Sequence, residues 1–242
     1  MSKTAITTFF TLWLVCGSHS FAQPISAEQA SKETHIEGLR LLPYEAGVNF
    51  GYVEKDTKLG KYLCGGMTVD EASSSSNLVS HTLEFTLGHE LGKGRPKYII
   101  LCSQVLASGQ RVGGIPVPPI NLLMLDASAS AEHIEHTVLH ELFHLIEYRF
   151  NSFNDVEWQH RFGGGYANTY KGYLKNAPIG SGKDGFANSY SETFPHEERA
   201  ELFAFLILQP EGLASQMDDE LSEKVQFIVD KCNKLFNWNI LW

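Results

Sequence analysis

The stretch Thr137-Val138-Leu139-His140-Glu141-Leu142-Phe143-His144-Leu145-Ile146 decides how this chain is read. Its apolar residues recur at helical intervals, and the pattern extends outward to predict a helix over 131–148. Ser128 or Ser130 stands where its cap belongs. His140 and His144 are four apart, so they share one helical face, one turn above the other. Two imidazole nitrogens so placed can converge on one ion at ~2.0–2.1 Å. Glu141 is offset around the helix and reaches a water beside such an ion rather than the ion itself. A pattern with three fixed positions also arises by chance, as two surface histidines flanking a carboxylate. The embedding of this one among Leu142, Phe143, Leu145 and Ile146 argues against that, because unpaired imidazoles in a core are costly.

A catalytic zinc ion takes three protein ligands and keeps one position open. A third histidine downstream on the metzincin pattern would need glycine at 147 and histidine at 150, where this chain has Glu147 and Phe150. Glu147 lies a turn beyond His144, too far along a straight helix to close on the same ion, and reads as a surface or supporting residue. The remaining source is a carboxylate from a second helix, and Pro195-His196-Glu197-Glu198-Arg199-Ala200-Glu201-Leu202-Phe203 offers one. Pro195 suits the first turn of a helix, which is expected to run to about Leu208. Glu197 and Glu201 share a face of it while Leu202 and Phe203 turn towards the core. Glu197 is the expected third ligand. Glu201 is then placed behind the ligands, accepting a hydrogen bond from a histidine N–H and fixing its tautomer.

On these residues the chain resembles the gluzincin peptidases, and within them the anthrax lethal factor-type catalytic domain and its secreted bacterial relatives. The resemblance rests on His140, Glu141 and His144, a later Tyr190, and then Glu197, Ala200, Glu201 and Phe203 in the pattern E-x-x-A-E-x-F. Gly185-Phe186-Ala187-Asn188-Ser189 also looks like the turn that precedes this tyrosine in the relatives. The match covers roughly residues 137–206, and nothing before Ala131 contributes. It implies a zincin core in which His140, His144 and Glu197 hold zinc, Glu141 is the general base and Tyr190 stabilises the oxyanion. It implies a peptide or protein as substrate. Without the resemblance Tyr190 reads as a core aromatic. A different class of function, a zinc-stabilised binding or scaffold protein without turnover, keeps the same metal ligands and lacks the chemistry.

Upstream, short β-like runs broken by glycine predict strands at 47–53, 61–64, 82–86, 97–102 and 121–125. The serines of 73–77 and the Gly- and Pro-rich 109–119 read as loops. Residues 23–40 are polar, a loose leader or a short first helix. Downstream of the second glutamate-bearing helix, 213–235 reads as one amphipathic helix. The expected class is α+β, a small N-terminal mixed sheet followed by a helical core, in one domain over 23–242.

The 242 residues, 43% hydrophobic and 19% charged, have a globular composition. A formal charge of -9 argues against nucleic acid and anionic membranes as partners, since such binding needs clustered Lys and Arg. Lys3, the apolar run from Ala5 to Val15 and Ser20-Phe21-Ala22 read as a secretory signal cut after Ala22, placing the mature chain outside the cell or in the periplasm. The run is short for a membrane span, and Val15 sits where a lipoprotein signal before Cys16 favours a small residue. Cys64, Cys102 and Cys232 then remain. Cys64 and Cys102 either form a disulfide or stay as buried thiols. His89-Glu90-Leu91 opens like the zinc motif, but Lys93 stands in place of a second histidine. Gly180-Ser181-Gly182-Lys183 lacks the first glycine and the final hydroxyl of a phosphate loop. His133 and His136 continue the histidine stripe, as a solvated first turn or as supporting residues. Trp158 reads as core.

Overall fold

The computed structural model describes residues 25–43, 48–87, 94–150, 155–169 and 177–236. The apolar leader with Cys16 and the decoy at His89 to Lys93 lie outside them. A five-stranded sheet has the order β1 (Leu39–Leu41), β2 (Asn49–Val53), β5 (Tyr98–Cys102), β9 (Leu122–Asp126), β8 (Gly114–Val117). Strands β2, β5 and β9 run parallel, and the outer strands β1 and β8 are antiparallel to their neighbours. Central β5 is apolar throughout because both its faces are covered. Ile99 and Leu101 join one core, and Tyr98, Ile100 and Cys102 join the other, following the two-residue period of a strand. The class read from the sequence, mixed sheet followed by helices, is the one observed.

The first core lies between the sheet and the helices α2 (Val69–Leu87), α3 (Ala131–Phe150), α5 (Pro195–Leu208) and α7 (Asp219–Phe236). On the other face sit α1 (Ala27–Thr34) and a four-stranded antiparallel sheet of β3 (Thr57–Leu59), β4 (Tyr62–Cys64), β6 (Val105–Ala107) and β7 (Gln110–Val112). A disulfide between Cys64 and Cys102 ties this small sheet to the end of β5. The bridge spans 38 positions, so its loss should cost about 2–4 kcal/mol through the freedom regained by the unfolded chain. The double variant Cys64→Ser, Cys102→Ser is therefore expected to unfold at lower denaturant than the parent; an unchanged midpoint contradicts this role.

Four sequence expectations fail here. The 73–77 serines and the 82–86 run are interior parts of α2, not loop and strand. A capping box starts that helix: Thr68 N–H donates to the Glu71 carboxylate at 2.8 Å, and Glu71 N–H returns to Thr68 Oγ1 at 3.4 Å. Ala72, Val79 and Leu83 then bury one face, and this packing overrides the weak helix propensity of serine and threonine. The 109–119 segment contains β8, with Pro116 tolerated because β8 is an edge. The final helix breaks, giving α6 (Pro210–Ala214) and α7.

Two features aim α3. The buried Asp126 at the end of β9 accepts from Arg111 Nε at 2.6 Å and from Ser128 N–H at 3.1 Å, which fixes the turn between strand and helix. Ser130 Oγ then accepts from His133 N–H at 3.4 Å as the cap. Just before β8, Gly113 C=O accepts from Asp126 N–H of β9 at 2.7 Å. By antiparallel alternation Ile115 and Val117 bond to β9, leaving the polar backbone of Gly114 and Pro116 on the outer edge. Gly114 is required there, since a Cβ would come within 2.7 Å of Glu141 Cγ.

Candidate metal centre

Helices α3 and α5 lie against each other and bring His140, His144 and Glu197 together. His140 Nε2 lies 2.9 Å from Glu197 Oε2, His144 Nε2 lies 3.2 Å from His140 Nε2, and His144 Nε2 lies 3.5 Å from Glu197 Oε2. Ligand atoms at ~2.0–2.1 Å around a tetrahedral ion are about 3.3–3.4 Å apart, so these three have the spacing of one face of such a tetrahedron. A second donor group, His136, His140 and Glu201, uses the other nitrogen of His140; its atoms lie within 4.8 Å of one another. Both are donor sets of a kind that could hold a metal ion, and in the first all three donor atoms lie within 3.5 Å of one another.

The charges fit a cation as well. Burial opposes the charged form of His140, yet the Glu197 and Glu201 carboxylates outweigh it and raise its pKa well above the usual imidazole range. Burial likewise opposes protonation of His144, but Glu147 and Glu197 bring it to about 9. Burial works against the Glu197 carboxylate too, and hydrogen bonds from His140, His144 and His196 nevertheless hold it well below the ordinary carboxylate value. Each carboxylate therefore favours a proton on the histidine it faces. A bound dication would displace those protons.

Behind the three donors each histidine meets a carboxylate. His140 Nδ1 lies 2.9 Å from Glu201 Oε1, an ion-pair contact that is not aligned as a hydrogen bond. Glu201 Oε1 is also 3.0 Å from His136 Nε2, and Glu201 Oε2 accepts from Asn188 Nδ2 at 2.5 Å. Glu201 thus contacts both His136 and His140. His144 Nδ1 is 3.7 Å from Glu147 Oε2, and the buried Arg199 binds the other oxygen of Glu147 through Nε. Glu147 supports this histidine rather than facing solvent. His136 is a supporting residue, not a solvated first-turn one, and Trp158 is fully buried.

Glu198, one residue after Glu197, points away from the histidines. It pairs with Lys224 Nζ of α7 at 3.0 Å, both side chains being fully buried, and Tyr166 donates its hydroxyl to it. Burial raises Glu198 to about 7 against the opposing pull of Lys224. The same ammonium donates to Gly185 C=O at 2.8 Å, while Gly185 N–H donates to Asp218 Oδ2 at 2.6 Å. Gly185 has φ +81° and a Cβ there would meet the Glu220 carboxylate at 2.8 Å, so only glycine fits this clamp. Helix α7 thereby anchors the turn that leads through Asn188 to Tyr190.

The Tyr190 ring sits 5.9 Å from the His140 ring, centre to centre. Burial, then the nearby carboxylates of Glu197, Glu141 and Glu201, raise its pKa, so its hydroxyl keeps the proton and can donate it in a hydrogen bond. Burial also raises the Glu141 pKa, with His140 and His144 pulling it down and Glu197 and Glu201 pushing it up. Glu141 and Tyr190 both line a cavity of about 270 Å³ beside the histidines. The residues read from the sequence as ligands and base, His140, Glu141, His144 and Glu197, lie near one another on α3 and α5. The sequence pattern did not reveal Asn188 as the partner of Glu201, the Arg199–Glu147 pair, or Lys224, because long-range partners leave no periodic signal.

The backbone resembles a crystal structure of a proposed zinc-binding metallo-peptidase from Bacteroides caccae, with a TM-score of 0.53, 14% identity, and coverage of 79% of this chain and 80% of that one. At that identity the likeness is one of fold. No family model matches the sequence, and no curated protein does.

Proposed function

We infer that this chain is an exported, zinc-dependent peptidase of the gluzincin type. The observation that carries this reading is the triangle of His140, His144 and Glu197 donor atoms at tetrahedral spacing, with Glu141 and Tyr190 beside it on one cavity. The fold it shares with a protein called a zinc-binding metallo-peptidase supports it. In this reading the three residues hold one zinc ion, which supplies Lewis acidity to a water molecule and to the scissile carbonyl. Glu141 takes a proton from the attacking water and passes it to the leaving nitrogen. Tyr190 donates its hydroxyl proton in a hydrogen bond to the oxygen on which negative charge develops. Glu201 and Glu147 hold the two imidazoles by their far nitrogens.

A peptide fits this site better than a compact small molecule. Strand β8 offers the outward backbone of Gly114 and the outward carbonyl of Pro116 next to Glu141, and an extended chain can pair with such an edge. Pro116 has no N–H to give, which limits the ladder to a few bonds. The test is cleavage mapping of a peptide library by mass spectrometry with the purified mature chain. Cleavage that stops with a chelator and returns with zinc is expected. A protein that binds zinc stoichiometrically and cuts nothing would be the scaffold instead.

A further inference from the structure

We propose that the cavity beside Glu141 is a specificity pocket for a basic side chain, the lysine or arginine of a substrate residue flanking the bond that is cut. This deepens the peptidase reading and rests on it. The cavity runs along the first turns of α3, from His140 and Glu141 at its inner end to Glu132 at its rim. Eight residues of helix separate Glu132 from His140, a rise of about 12 Å. A wall of that length suits a long side chain better than a short one.

The lining sorts the long side chains by charge. Three carboxylates, Glu132, Glu141 and Glu201, face the cavity, and among the described residues no lysine or arginine does. Glu201 is engaged by His136 and Asn188, and Glu141 stands at the reacting end. Glu132 is exposed and has no ion-pair partner among the described residues. It is the carboxylate available to a ligand. Between the two ends the wall is partly apolar, with Ile179 and Phe205, and Phe205 is held against the His136 ring at 4.9 Å. A lysine or arginine would lay its hydrocarbon stem on that wall and carry its charge to Glu132. A glutamate in the same place would meet like charge at both ends. A phenylalanine would fill the apolar part and leave Glu132 solvated.

The experiment uses matched peptides that differ only in the residue on either side of the scissile bond, carrying Arg, Lys, Phe, Gln or Glu. Their kcat/KM is read with the zinc-loaded parent, and their affinity is read by calorimetry with the zinc-loaded Glu141→Gln variant, which separates binding from turnover. The parent should prefer Arg or Lys over Glu on one side of the bond. Glu132→Gln should lower the basic peptides roughly two- to fivefold, the size of one exposed ion pair, and leave the Phe peptide unchanged. Glu132→Lys should invert the order of Lys and Glu. A parent without basic preference, or an order unmoved by Glu132→Lys, overturns the pocket while the peptidase reading stands. Charge-dependent binding without any cleavage supports the pocket and removes the peptidase reading.

Discussion

Glu141→Gln is expected to lower kcat by about 10²–10⁴-fold, the range contributed by one positioned general base, while zinc remains bound. The amide keeps the size and the hydrogen-bonding reach of the carboxylate, so the packing against Gly114 survives. What it loses is the ability to take a proton. Glu141 suits that task by its place on the cavity beside His140, and burial raises its pKa above the ordinary carboxylate value. Since Glu141 is not among the clustered donors, metal content measured on the same sample should match the parent. A variant with undiminished kcat would remove Glu141 from the chemistry.

Glu197→Ala is expected to have the second large effect, on the metal itself. It deletes the only anion among three donors and leaves two imidazoles on one helix, which should weaken zinc binding by more than roughly 100-fold, the upper end of the loss from a merely supporting residue. Glu201→Gln provides the graded comparison. Because Glu201 contacts the far nitrogen of His140, its replacement should cost only about 10–100-fold in zinc affinity. Competition with a chromophoric chelator measures both. The reverse order, with Glu201 mattering more, would shift the ion to the His136, His140 and Glu201 group. Glu198 is no substitute, because its carboxylate is committed to Lys224 and Tyr166.

The sequence was most legible where chemistry and periodicity coincide. His140, Glu141 and His144 sit in an apolar helical repeat, and Pro195 with the paired glutamates marks the second helix, so α3 and α5 are found within two residues of their observed ends. Strands β2, β4, β5 and β9 were legible as short apolar runs between glycines. Helix α2 was hidden because serine and β-branched threonine argue locally for loop and strand, and only burial of Ala72, Val79 and Leu83 decides otherwise. Strand β8 was hidden by Gly114 and Pro116, which edge position makes tolerable. The partners behind the site were hidden for a different reason. Asn188 to Glu201, Arg199 to Glu147 and Lys224 to Gly185 are pairings between separate elements, and a single sequence does not say which polar residue meets which.

The central claim is that His140, His144 and Glu197 surround one zinc ion. X-ray absorption at the zinc edge of the purified, metal-loaded chain tests it most directly. The account predicts one zinc per chain with four or five nitrogen and oxygen neighbours at about 2.0–2.2 Å, two of them carrying imidazole scattering, and a loss of that signal in Glu197→Ala. A first shell containing sulfur at about 2.3 Å, a single imidazole, or a spectrum unchanged in Glu197→Ala would contradict it.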